Sequence, residues 1–372
     1  MSAHGLRIGL IGPLPPPSGG MANQTGALAR ALAQEGVSVE VVQTNAAYRP
    51  AWIGSVRVVR ALFRLVPYWI RLWQVAGRVH AFHVMANSGW AWHLCAAPAV
   101  WVGKLRRIPV LVHYHGGSAE RFLARSSFWI KPTMKLADRL IVPSEYLQHV
   151  FAHFRLAAQV IPNVIDLGRF TPRARGFVSP RGAPHLIVTR NLEPVYDIGT
   201  ALRALAIIRR TCPGAHMTVA GSGPEHGNLT RLAAALGVAS CVRFTGRLDG
   251  DEIAALHQEA DLLMNPSLAD NLPISILEAL ASGVPVVTTD VGGIPFVVQH
   301  DSTALLVGAR DPQAMAHAVL GLLEDEAKAS RLADAGRKAA QRYGWPKVRG
   351  CWLALYAGLL RSVPVSTAAE TK

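Results

Sequence analysis

Apolar and polar positions along the chain are grouped in blocks that fit buried strands alternating with amphipathic helices. Leu6–Gly12 is short, largely apolar and ended by Gly-Pro, which predicts a buried strand. A Pro/Gly loop over 13–20 follows, then a predicted helix from Met21 to Gln34, stopped by Gly36. Val37–Gln43, Val110–His113, Leu140–Val142 and Gln159–Ile161 read as further strands, the later ones separated by segments long enough to hold helices. Residues 172–184 are rich in Pro, Gly and Arg, and the pattern then restarts. Strands are predicted at His185–Thr189, His216–Ala220, Val242–Thr245, Leu262–Asn265 and Pro285–Thr289. Helices are predicted at Gly199–Arg210, Leu229–Leu236, Asp251–Glu259 and Ile274–Ser282, with a helical region from Pro312. Such alternation predicts an α/β chain with parallel sheets covered on both faces. The expected division is a first doubly wound domain over 1–170, a linker over 171–185 and a second over 186–344. Two such domains in tandem place a ligand crevice between them, at the C-terminal ends of the strands.

Of the 372 residues half are hydrophobic and 17 % charged, which excludes a disordered chain or a coiled coil. Cys95, Cys212, Cys241 and Cys351 form no CxxC pair, so neither a disulfide framework nor a zinc site is expected, and a reduced, cytoplasmic compartment fits. The first apolar stretch runs straight into a Pro-rich turn, so no signal peptide is read there. The longest apolar run, Gly89–Gly103, contains His93 and Pro98 and is too short to span a bilayer.

Charge divides the chain. The net charge is +14, and residues 1–180 carry all of it, with 20 basic against 6 acidic residues. Arg57, Arg60, Arg64, Arg71 and Arg78 are interleaved with Phe63, Tyr68, Trp69 and Trp73, and Pro67 is expected to kink or break a helix there. Segments of this kind lie on anionic membrane surfaces, and an ordinary solvated helix face has the same pattern. No helix-turn-helix, RNP or Cys/His finger motif accompanies the basic stretch, so nucleic acid is not an expected partner.

The segment with the most chemistry is Asn265–Gly293, NPSLADNLPISILEALASGVPVVTTDVGG. A strand ends at Asn265, a loop leads to Asp270, and Pro273 opens a helix whose free N–H groups suit a diphosphate. Glu278 stands among Ile276, Leu277, Ala279 and Leu280, where a carboxylate needs a polar partner; a ribose diol is one, solvent on an amphipathic helix another. Asp249-Gly250-Asp251 precedes a predicted helix and reads as a cap rather than a metal motif. No metal or other cofactor is expected.

Asp270, seven intervening residues, Glu278 and then ALASGVPVV resemble the paired-acid signature of the retaining GT-B glycosyltransferases of the GT4 type. The resemblance extends over about residues 6–360, and the polysaccharide-biosynthesis members are the nearest in kind. It implies that Glu278 holds the nucleotide ribose of a UDP- or GDP-sugar and that Asp270 reaches the donor sugar. Asn271, Leu272 and Pro273 would lie along the diphosphate. Gly19 and Gly20 resemble the glycine loop that approaches the diphosphate, and His115, in His113-Tyr114-His115-Gly116-Gly117, would contact the transferred sugar. Gly246 and Arg247 fall where the nucleotide base often sits. Val142-Pro143-Ser144 and Ile161–Asp166 match landmarks ahead of the linker, with Val164 at a usual Gly. The last segment, 345–362, resembles the helix that crosses back onto the first domain. The chain departs from the family in having Asp at the first acidic position, and Asn191 and Tyr196 where an Arg and a Lys are usual, so Arg190 is the expected substitute cation.

The expected function is transfer of a sugar from a nucleotide-sugar to a carbohydrate or lipid-linked acceptor held by the basic first domain. The expected location is the inner face of the cytoplasmic membrane, with Arg57, Arg60, Arg64 and Trp69 on the membrane or acceptor face. A donor-binding scaffold without turnover and a nucleotide-sugar epimerase are the alternatives.

Overall fold

A computed structural model describes residues 5–16, 19–46, 59–117, 119–173 and 183–361. It divides into two compact units, Met1–Val164 with Val348–Lys372, and Ile165–Lys347.

In the first unit a six-stranded parallel sheet is built from β1 (Arg7–Gly12), β2 (Ser38–Gln43), β3 (Ala81–Ala86), β4 (Val110–Tyr114), β5 (Arg139–Val142) and β6 (Gln159–Val160). The strand order is β2-β1-β3-β4-β5-β6. The intervening helices are α1 (Gly20–Gln34), α2 (Val59–Ala76), α3 (Ala97–Leu105), α4 (Ala119–Leu136) and α5 (Glu145–His153). Every residue of β3 and β4 is buried, as expected of strands covered on both faces. Gly103 and Gly9 let elements close up: a Cβ at Gly103 would overlap Val110, and one at Gly9 would lie 2.8 Å from the Phe82 ring. Of the kink or break expected at Pro67, the break does not occur: α2 runs on through it. Its inner side chains Tyr68, Leu72 and Val75 are buried in the core, and that packing offsets the single backbone hydrogen bond that proline removes.

The second unit contains β7 (His185–Val188), β8 (His216–Ala220), β9 (Val242–Gly246), β10 (Leu262–Asn265), β11 (Val286–Thr289) and β12 (Leu305–Val307). Its helices are α6 (Ile198–Thr211), α7 (His226–Ala235), α8 (Gly250–Glu259), α9 (Ile274–Ala281), α10 (Pro312–Glu324) and α11 (Glu326–Ala340). The strand order β12-β11-β10-β7-β8-β9 reverses direction between β7 and β10, which makes that pair the topological switch point. Two cores, one on each side of the sheet, hold it. Asp249 caps α8 by accepting from the amides of Asp251 and Glu252, and Glu252 returns a bond to the Asp249 amide. That capping box is the reading the sequence favoured for this acidic pair.

The seam between units falls at Val164/Ile165, ahead of the expected 170. Ile165 donates to the Tyr343 carbonyl at 2.9 Å and Phe170 lies in a core of the second unit. The start of the expected linker also belongs to the second unit. Arg173 is buried, donates to the Ala260 carbonyl at 2.6 Å and pairs with Asp261 at 3.7 Å, while Asp261 accepts from the His185 amide. Residues 174–182 of that linker lie outside the described residues. The last helix, α12 (Trp345–Arg361), joins the first unit from Val348 onward.

Candidate functional site

The carboxyl ends of β7 and β10 bring Arg190 and Asp270 together. Arg190 follows β7; its Nη2 forms an ion pair with Asp270 Oδ2 and its Nε donates to Asn265 Oδ1 at 3.0 Å. The guanidinium also lies over the Tyr196 ring, 4.8 Å from its centroid. Arg190 therefore has Asp270 and Asn265 as partners, where the sequence had assigned it to a diphosphate. Both side chains of the pair are nearly enclosed, at 11 % and 13 % exposure, so the charges are costly to separate.

A polar floor that the sequence reading missed supports this pair. Asn265 ends the apolar strand LLMN, donates to Thr288 at 2.9 Å and accepts from Ser267 at 2.8 Å. Thr289 donates to the Ser267 carbonyl at 2.6 Å. The signal was available as a lone amide closing a buried strand, since such a group must be satisfied. Gly292 and Gly293 hold the Asp270 loop from the other side. Gly292 has φ +55, and a Cβ on either glycine would overlap the Asp270 or Asn271 carbonyl. The Gly293 amide donates to the Asp270 carbonyl at 2.7 Å and Asp270 Oδ1 accepts from the Asn271 amide at 2.8 Å.

Asn271, Leu272 and Pro273 lead into α9, with Pro273 at its N-cap. Glu278 is half-buried on α9, between Leu277 and Ala279, both buried. No hydrogen bond reaches its carboxylate among the described residues. Burial pushes its pKa up from 4.5 to about 8, opposed by the nearby charges of Arg190 and then Arg169. Gly246, at φ +73, ends β9 and accepts from the Gly221 amide at 2.8 Å. Arg247 beside it is exposed. Glycines at 221 and 223 are required by the loop after β7, because side chains there would overlap the carbonyls of Arg190 and Leu192. A cavity of about 310 Å³ lies beside the loop, lined by Glu193, Asp197, Arg203, Glu225, Leu268 and Arg310. A larger one, about 530 Å³, is lined from Met134 to Leu140 and from Arg155 to Gln159, at the amino ends of β5 and β6, away from the strand ends where α/β sheets bind ligands.

In the first unit Gly19 is the N-cap of α1, and among the described residues nothing lies within 4 Å of a Cβ built on Gly19 or Gly20. His115 follows β4, half-buried, with its amide on the Ala86 carbonyl at 2.8 Å. It is one of three histidines in contact: the His113 ring lies against it, tilted by 48° with centroids 4.0 Å apart, and His113 Nδ1 lies 3.3 Å from His83 Nε2. The Tyr356 hydroxyl of α12 is 2.7 Å from His83 Nδ1, and the Trp352 ring packs on both inner histidines. Burial lowers His115 to about 4 and His83 to about 3, so these imidazoles are neutral near pH 7. Sequence reasoning named His115 and missed His83, which sits inside a wholly buried strand. Among the described residues no group of three His, Cys, Asp or Glu could hold a metal ion.

Of the four residues assigned to a membrane or acceptor face, the structure describes the side chains of two. Arg57 lies outside the described residues, as does the side chain of Arg60. Arg64 is half-buried and donates to the Ala46 carbonyl at 3.2 Å, so it faces the body of the unit. Trp69 is exposed and pairs with Trp101 at 6.5 Å.

Sequence models of two glycosyltransferase families match, "Glycosyltransferase Family 4" over residues 18–169 and "Glycosyl transferases group 1" over 174–339. The GDP-mannose-dependent α-(1-6)-phosphatidylinositol monomannoside mannosyltransferase of Mycolicibacterium smegmatis is 30 % identical over 349 residues, 85 % of this chain and 91 % of that protein. The chain belongs to the group 1 glycosyltransferases. Glycogen synthase of Mycobacterium tuberculosis is 30 % identical to this glycosyltransferase over 286 residues, 72 % of the chain and 67 % of the relative. Its GT-B fold is shared with Anabaena HepE, solved with UDP and glucose, at TM-score 0.74 and 20 % identity over 94 % of this chain and 99 % of that one. Sucrose-phosphate synthase from Thermosynechococcus elongatus is similar at the same TM-score, 0.74, and 20 % identity, over 96 % and 100 % of the two chains. In this glycosyltransferase Arg190, Asp270 and Glu278 gather at the carboxyl ends of the second sheet.

Proposed function

We propose that this glycosyltransferase moves a sugar from a UDP- or GDP-sugar to a carbohydrate or lipid-linked oligosaccharide acceptor with retention of anomeric configuration, in surface polysaccharide biosynthesis. The observation that carries the reading is Glu278, a half-buried carboxyl group without a hydrogen-bond partner beside the Arg190–Asp270 pair at the β7/β10 switch point. A ribose diol supplies the donors that Glu278 lacks. The α9 N-terminus supplies positive charge to the departing diphosphate, while Arg190 is held by Asp270 and Asn265 and fixes the Asp270 carboxylate. Asp270 then addresses the sugar, with Asn271–Pro273 along the diphosphate and Gly246–Arg247 by the base. The open space over Gly19 and Gly20 lets a phosphate approach the α1 N-terminus. In the reaction the bond from the anomeric carbon to the phosphate oxygen breaks, and a bond to the acceptor oxygen forms on the same face. The acceptor proton passes to the leaving phosphate.

The acceptor reading is supported by the basic first unit and by a relative whose named acceptor is a phosphatidylinositol monomannoside. Action at the inner face of the cytoplasmic membrane, with the positive charge against anionic lipid, is part of the same proposal. Calorimetry against a panel of UDP- and GDP-sugars, with products resolved by anomer, tests the reading. Binding of one nucleotide class with transfer to the α- or β-product matching the donor is expected. Inversion overturns the retaining assignment, and wild-type turnover by Glu278→Ala overturns the site.

A further inference from the structure

We propose, resting on the membrane-acting reading above, that the outer face of the α2–α3–α4 layer inserts its aromatic side chains into the headgroup zone of an anionic bilayer. Among the described residues, twelve of the fourteen exposed large hydrophobic side chains fall between positions 63 and 136. Helix α3 packs beside both α2 and α4, so the ten of these side chains that those helices carry share one layer. They include Ile70 and Trp73 on α2, Trp101 and Leu105 on α3, and Phe128 and Trp129 on α4, the last two 80 % and 74 % exposed. Trp69 and Trp101 pair across α2 and α3, and Arg106 lies 4.8 Å over the Trp73 ring. A soluble surface rarely carries so many exposed apolar groups in one layer.

Charge selects the occupant. Residues 59–138 hold eleven Lys and Arg against Glu120 and Asp138. A second copy of this face would bring like charge against like, whereas an anionic lipid surface complements it. Tryptophan beside arginine also suits the interface, where the ring is half in hydrocarbon and the long basic side chain reaches the phosphates. No helix of the described residues is long and apolar enough to cross the membrane, so the attachment is by insertion from one side. The inserted set differs from the arginine stretch read in the sequence, since its most exposed members lie on α4.

The test uses the full chain with vesicles of phosphatidylcholine alone and with phosphatidylglycerol added, at low and high salt. Binding to the anionic vesicles should survive high salt in part, and bromolipid quenching of tryptophan should accompany it. Phe128→Ala with Trp129→Ala should lower partitioning at least about tenfold and remove the salt-resistant part. Both side chains are exposed, so the variant's melting temperature should match that of wild type. Two results separate the ideas. Anionic binding that high salt abolishes and the double variant retains would overturn insertion while leaving electrostatic membrane attachment standing. No binding to either vesicle would overturn both. A wild-type dimer in sedimentation velocity that the double variant loses would overturn insertion, because the face then belongs to a second copy.

Discussion

Glu278→Gln separates a ribose-binding carboxylate from a merely tolerated one. Burial sets the Glu278 pKa at about 8, so it is protonated in most molecules at pH 7. A ribose diol donates to a carboxylate, and donor binding must therefore expel that proton. At pH 7 about one molecule in eleven has the group ionised, so the apparent Kd lies about elevenfold above its plateau, about 1.4 kcal/mol. Between pH 6 and pH 8 affinity should rise about fifty-fold, with about one proton released per donor at the lower pH. The assay is calorimetry with an intact nucleotide-sugar, whose phosphodiesters do not titrate in that range, in two buffers of different ionisation enthalpy. His115 and His83, lowered to about 4 and about 3, stay neutral throughout. Stability runs the other way. A folded pKa above the ordinary 4.5 means that the protein without donor loses stability as pH rises from 4.5 to about 8. The Gln variant lacks that loss, is more stable above pH 8, and binds donor weakly with no pH slope. Flat wild-type affinity without proton release, together with wild-type affinity in the variant, would refute the reasoning.

Arg190→Ala leaves the Asp270 carboxylate enclosed without its cation, which should cost about 3–5 kcal/mol in urea unfolding and most of the transfer rate. Gly293→Ala forces a Cβ into the Asn271 carbonyl; a loss of about 1–3 kcal/mol and weaker donor binding are expected by melting and calorimetry. Tyr356→Phe removes the hydroxyl next to His83 Nδ1 and should cost about 1–3 kcal/mol, read as a lower Tm with donor affinity unchanged.

How much was legible in the sequence depended on whether the signal was local. Runs such as His216–Ala220 and Leu262–Asn265 read directly as the strands they form. Ala81–Ala86 was missed because His83 interrupts its apolar run, and Leu305–Val307 because three residues hold no period. The segment from Asn265 to Gly293 was readable because its strand end, helix start and acid spacing are contiguous. Arg190 with Asp270 was not, since the two are 80 residues apart and only the crossover between β7 and β10 joins them. His83 with Tyr356, 273 residues apart, was hidden for the same reason. Arg64 read as a surface cation from its arginine-rich surroundings, yet its fork is held by a backbone carbonyl that no pattern announces.

The chain leaves the first unit at Val164 and returns to it at Val348. The ribosome therefore delivers the first sheet long before Trp352 and Tyr356, which cover His83 and His113. Until the last helix emerges, two neutral histidines and the apolar wall around them stay open, while the second unit has all of its own residues. Vectorial synthesis thus completes the second unit before the one that begins the chain, and the waiting half is the one exposed to chaperones and proteases. A stop ahead of Val348 would damage the amino-terminal unit and spare the later one.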